Sequence, residues 1–197
     1  MRDLTERLAA GDVVVLDGAV STELQRRGVP VDEVSWFGSA NRAHLDAVQA
    51  LHEDYIHAGA EVIIANTHST SRAGLEPAGL GDRVDELNRR AVEAAIRARE
   101  AAADRPVAIA GSISSFIPAA MGSDDDSDLR GLSTFREQAA ILADAGVDLI
   151  ALEMMDSTSY GLAAVEAACE TGLPVWLGMS PIRFESGQLG TYSADKP

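Results

Sequence analysis

Short apolar runs alternate along the chain with longer stretches of helical spacing. The runs are Val13-Val14-Val15-Leu16, Val62-Ile63-Ile64-Ala65, Val107-Ala108-Ile109-Ala110, Leu149-Ile150-Ala151-Leu152 and Val175-Trp176-Leu177. Each is short, mostly β-branched and apolar at consecutive positions, the pattern of a parallel strand buried on both faces. Between them, Leu45, Val48, Leu51 and Tyr55 recur three or four apart and end at Gly59, which predicts a helix with a glycine stop. Val84, Leu87, Ala91, Ala94 and Ala98 predict a second helix. A third is expected to open at the capping-box pair Thr134/Glu137 and close at Gly146, and a fourth to bury Leu162, Val165 and Cys169 as one stripe. A short helix over Leu4–Ala10 precedes the first run.

Strand–helix alternation implies a parallel sheet with right-handed crossovers, either doubly wound or a (β/α) barrel. Neither G-x-G-x-x-G after the first strand nor G-x-x-x-x-G-K-[ST] anywhere supports a nucleotide-binding open sheet. Each strand instead runs out into polar or small residues: Asp17-Gly18, Asn66-Thr67-His68, Gly111-Ser112, Glu153, and Met179-Ser180. Polar groups converging at strand C-termini are how a barrel builds its active site. The strands recur about every 40 residues, so eight units need roughly 300 residues. At 197 residues the chain is expected to hold about five of eight units, as one incomplete domain over 1–197. The loop-rich stretch Pro118–Gly131, with Asp124-Asp125-Asp126, reads as a solvated connection.

Composition narrows the function. The formal charge is −15, from 31 acidic and 16 basic side chains, which repels phosphate backbones and makes nucleic acid an unfit partner. No segment has the ~18 consecutive apolar residues of a membrane span. The mixed-charge start Met1–Glu6 has no apolar h-region, so a cytoplasmic protein is expected. The single cysteine, Cys169, excludes a disulfide framework or a multi-cysteine metal site within this chain, and its place on a helix reads as packing.

The twelve residues Asp17-Gly18-Ala19-Val20-Ser21-Thr22-Glu23-Leu24-Gln25-Arg26-Arg27-Gly28 resemble the D-G-[AG]-[MF]-[GS]-T-x-L opening of the homocysteine S-methyltransferase family. Further matches follow in the family's order: Ser35-Trp36, His52-x-x-Tyr55-x-x-Ala58-Gly59-Ala60, Asn66-Thr67, Gly111-Ser112 and Leu152-Glu153, with Met154 where the family carries threonine. The ordered set covers residues 13 to about 180.

The resemblance implies a (β/α)8 TIM barrel that moves a methyl group from a small donor to the thiol of homocysteine or selenocysteine, giving methionine from the former. It implies a zinc ion that binds the substrate sulfur. A thiol of pKa ~8.5 is mostly protonated at neutral pH, and zinc coordination makes it a thiolate. By the same resemblance Asp17 and Glu153 lie near the substrate's ammonium, and Gly18 permits close backbone approach. Thr22, Asn66, Thr67 and Ser112 line the pocket, and Trp36 stands by the donor entrance. The donors found among such relatives are S-methylmethionine, S-adenosylmethionine, betaine and a folate–corrinoid route. The absence of a cobalamin or folate module favours a small sulfonium or betaine. The family's zinc cysteines belong to sixth- and eighth-strand motifs, so the ligands are expected beyond Pro197 and the chain reads as C-terminally truncated. The alternatives are a metal-independent lyase on the same barrel scaffold, or a non-enzymatic remnant completed by a partner chain. His52 and His57 are expected to be structural or solvent-facing, with His68 nearer the mouth.

Overall fold

The computed structural model describes residues 4–115, 127–155, 158–184 and 186–191. Its centre is a four-stranded parallel sheet of β1 (Val62–Ala65), β2 (Ala108–Ser114), β3 (Leu149–Met155) and β4 (Val175–Met179), in that spatial order. The order never reverses. A doubly wound sheet reverses at its switch point, so this sheet is wound in one direction, as in a barrel wall. A separate antiparallel pair, β5 (Pro181–Arg183) and β6 (Leu189–Thr191), follows.

The sheet's two faces have different partners, as the two-residue strand period requires. Ile63, Ala65, Ile109, Ile113, Ile150 and Leu152 pack under the long helices in the main core. Val62, Ala110, Leu149 and Ala151 point the other way, with Val14, Ile64, Ala108 and Trp176 against them. Gly111 belongs to the helix-facing set: a Cβ there would sit 3.0 Å from a Leu142 methyl carbon, so the missing side chain lets a helix approach closely. Leu4, on α1 (Leu4–Ala9), also joins the inner-face cluster.

Successive helices pack side by side along the sheet: α4 (Leu45–Ala58), α6 (Val84–Ala102), α7 (Ser127–Ala145) and α8 (Thr158–Cys169). The two helices predicted from Leu45 and Val84 match α4 and α6, and α4 ends at Gly59 in the left-handed region, φ 114°. Short helices α2 (Val20–Arg26), α3 (Ala40–Ala43) and α5 (Arg72–Leu75) sit in the connections. No helix among the described residues is long and apolar enough to cross a membrane.

Four expectations are corrected. The run Val13–Leu16 makes only a single parallel bridge, Leu16 to Val62, instead of a full strand. The N–H of Val15 donates to a Glu61 carboxylate oxygen at 3.1 Å, so a side chain stands in for a strand neighbour, and Val13 is left exposed. Helix α7 starts at Ser127, not Thr134, and Glu137 turns outward to pair with Arg72 in place of a capping role. Gly131 is therefore helical; Asp124–Asp126 lie outside the described residues. On α8 the buried stripe is Gly161, Ala164, Ala167 and Ala168, while Leu162 is 67% exposed and Cys169 is exposed. Small residues let α8 sit close to β3; Leu162 and Cys169 are rotated out, while Val165, as expected, packs partly buried against the main core.

Candidate amine-binding site at the strand ends

Three segments are tied together at the C-terminal end of the sheet. The first is the end of the Val13–Leu16 segment. Asp17 N–H donates to Val62 O at 2.9 Å, and its Oδ2 accepts from Ile64 N–H at 2.8 Å, so the carboxylate is fixed beside β1. Its other oxygen, Oδ1, is buried and has no hydrogen-bond partner among the described residues. Burial pushes the Asp17 carboxyl up to about 7; the Ile64 N–H opposes this, and the Glu153 charge adds to it. Beside it, Gly18 leaves room for Tyr55: a Cβ on Gly18 would meet the phenol oxygen at 2.8 Å. That hydroxyl donates to Ala19 O at 3.1 Å.

Glu153 lies near the end of β3, and Ser112 on β2 donates its hydroxyl to Glu153 Oε2. His68 Nδ1 stands 3.7 Å from that same oxygen, beyond direct hydrogen-bond distance. Burial alone would raise Glu153, but His68 and Ser112 more than offset it and hold the carboxyl below its usual range. The two acids are thus pushed apart: Glu153 stays ionised while Asp17 titrates near neutrality. Glu153 Oε1 has no hydrogen bond among the described residues.

The third segment carries Trp36. Asp32 Oδ1 accepts from Val34 N–H at 3.0 Å and Ser35 N–H at 2.6 Å, closing a turn that puts Trp36 at φ 55°. Ser69 Oγ donates to Ser35 O at 2.8 Å, tying this turn to the loop that bears His68. The Trp36 and His68 rings meet edge to face, 6.1 Å between centroids. Met154, next to Glu153, is also left-handed at φ 54° and 56% exposed, where the β3–β4 register slips. Two non-glycine residues in that region at one mouth mark a site whose backbone the surroundings hold in place.

Ser112, Glu153 and Trp36 therefore connect through shared contacts, with His68 as the link that the sequence placed only near the mouth, and Asp17 is joined to them by the charge of Glu153 alone. Thr22 is exposed on α2. Asn66 and Thr67 spend their side chains inside the protein: Asn66 donates to Phe37 O and Asn41 Oδ1, and Thr67 donates to Ser112 O at 2.8 Å. Below them is a buried polar network that the sequence pattern does not reveal. Asn41 bonds Asn66 O, and Thr70 bonds Asn88 Oδ1. Gln138 Nε2 donates to Thr67 O at 2.8 Å, so side chains from α3, α6 and α7 grip the Asn66–Ser71 loop.

The sequence profile described as "Homocysteine S-methyltransferase" matches residues 14–192. The chain belongs to the homocysteine S-methyltransferase family. It is 29% identical to "Homocysteine S-methyltransferase 2" of Zea mays over 193 residues, covering 87% of this chain and 57% of that protein. It is 31% identical to "Betaine--homocysteine S-methyltransferase 1" of Xenopus laevis, covering 88% of this chain and 42% of that one. The metallated form of the homocysteine methyltransferase MmuM from Escherichia coli superposes with a TM-score of 0.71 at 26% identity, covering 89% of this chain and 66% of that chain. The chain thus spans a little over half the length of the maize relative. Family members so named are enzymes, and MmuM was solved with metal. The described residues of this homocysteine S-methyltransferase family chain do not fit a zinc centre. They hold no cluster of three His, Cys, Asp or Glu side chains that could bind one, and Cys169 is exposed on α8.

Proposed function

We propose that this mouth binds the amino-acid end of homocysteine, or of selenocysteine, for transfer of a methyl group to its thiol or selenol. The observation that carries the reading is the matched pair Asp17 and Glu153. Each carboxylate has one oxygen fixed by the protein and one oxygen, Asp17 Oδ1 and Glu153 Oε1, without a hydrogen bond among the described residues. An ammonium offers several N–H donors, and two carboxylates whose second oxygens are unpaired accept them with charge assistance. Ser112 keeps Glu153 aimed, and Gly18 leaves room for Tyr55 next to Asp17. The relatives' names support the substrate: they are homocysteine methyltransferases of plant and animal origin.

The 39% exposed Trp36 offers a ring face to a cationic methyl donor, which suits a sulfonium or a quaternary ammonium such as betaine. S-methylmethionine, S-adenosylmethionine and betaine are the donors to test. In this reading the chain is the first part of a TIM barrel with about five of its eight units, and a longer polypeptide supplies the rest. The single-direction strand order and the MmuM superposition support it.

The experiment is calorimetric titration of the chain with homocysteine and with 4-mercaptobutanoate, which lacks only the amine. Methyl transfer from each donor is assayed in parallel, with and without added zinc. The reading expects homocysteine to bind at least ~10-fold more tightly. Equal binding of the two compounds overturns it.

A further inference from the structure

Glu153 Oε2 is approached from two sides, by Ser112 Oγ within the sheet and by His68 Nδ1 at 3.7 Å from the loop after β1. A carboxylate held by one hydroxyl still pivots about that bond; a second group on the same oxygen removes the pivot. The loop that supplies this second group is unusually well fixed. Ser114 Oγ donates to His68 O at 2.7 Å, and Gln138 holds the carbonyl of the preceding Thr67. The Trp36 edge contact fixes the imidazole from its outer side. On Glu153 the imidazole approaches Oε2, the oxygen that Ser112 already holds, and not Oε1.

We propose that His68 is a positioning residue for Glu153, setting the carboxylate so that Oε1 faces the substrate's ammonium. The inference rests on the amine-binding reading above for its ligand, but not for its geometry. His68 touches neither the ammonium nor the thiol in this arrangement; its whole effect on binding passes through Glu153. The effect should therefore appear only with ligands that carry an amine, and only while Glu153 is a carboxylate.

The test has two arms, on the full 197-residue chain. In the unliganded arm, 13C-labelled glutamate is followed by NMR as pH falls, with Glu153→Gln to identify the resonance. His68→Ala is expected to move the Glu153 midpoint upward, because it removes a group that favours the ionised form. His68→Asn, which keeps a side-chain donor, should recover part of that shift. An unchanged midpoint in His68→Ala overturns the positioning role whatever the ligand proves to be. In the second arm, the preference for homocysteine over 4-mercaptobutanoate is measured by calorimetry. His68→Ala should reduce it by ~5-fold while leaving 4-mercaptobutanoate affinity unchanged, and should have no further effect in Glu153→Gln. Equal losses for both ligands, or full additivity with Glu153→Gln, overturns it. Should neither ligand bind the wild-type chain, the amine-binding reading falls, and the NMR arm still decides the role of His68.

Discussion

The backbone N–H of Ile64 donates to Asp17 Oδ2 at 2.8 Å, so a side chain continues the pairing of a segment that makes only one β-bridge to β1. One consequence is a pH-dependent cost. The Asp17 carboxyl, ordinarily near 3.8, titrates at about 7 in the fold, so the folded state holds the proton more tightly than the unfolded chain. Its contribution favours the fold below pH ~4 and is lost as pH rises to ~7. Asp17→Asn keeps an acceptor for Ile64 and carries no charge. Its urea-denaturation stability relative to wild type should improve by about 1–3 kcal/mol between pH 4 and pH 8, a figure reduced from full linkage because the group is not wholly buried.

An ammonium beside Asp17 favours the carboxylate and drives its proton off. Homocysteine binding at pH 7 should therefore release roughly half a proton, and nearly none at pH 9. Calorimetry in two buffers of different ionisation enthalpy measures this directly. Asp17→Asn should abolish the release, and a buffer-independent enthalpy in the wild type contradicts the arrangement.

His52 is buried with neither ring nitrogen hydrogen-bonded among the described residues, and burial pushes its pKa down to about 4. The fold keeps it neutral while the unfolded chain protonates near 6.5. Stability from this group is complete above pH ~6.5 and falls as pH drops toward ~4. Between pH 7.5 and pH 5 the loss is about 2 kcal/mol. His52→Leu should remove that part of the acid sensitivity in denaturation curves taken at the two pH values.

Gly18 is expected to tolerate no methyl group while Tyr55 is present, since a Cβ would lie 2.8 Å from the phenol oxygen and 2.9 Å from a ring carbon. Gly18→Ala should cost about 1–2 kcal/mol by overpacking. The same change in Tyr55→Leu should cost clearly less, and thermal denaturation of the four variants of that cycle gives the coupling.

Asn88→Leu removes the acceptor for Thr70 Oγ1 and the donor to Thr70 O. Leaving such buried groups unpaired costs about 2–3 kcal/mol. The amides of the Asn66–Ser71 loop should exchange faster in hydrogen-exchange measurements, and amide exchange in β3 should change only by the global loss.

Where one partner decides a segment's state, the sequence is readable. The apolar runs at Val62, Ala108, Leu149 and Val175 became strands because a neighbour lies on at least one side and helices cover one face. The first run has the same composition but makes a single bridge, to Val62, and Glu61 takes the N–H of Val15. On α8 periodicity chose the larger side chains for the core, whereas close approach to the sheet chose alanine and glycine. Asp17, Ser112 and Glu153 could be picked out because a strand end is a sequence position. His68, Asn41, Asn88 and Gln138 could not be grouped, because what joins them is the meeting of elements up to 71 residues apart.

That last contact changes what counts as a mouth mutation. A helix residue at position 138, buried and remote from any ligand, holds the carbonyl next to His68. Drift in the helical layer would thus be felt as altered recognition, and relatives with identical strand-end residues need not share a substrate preference.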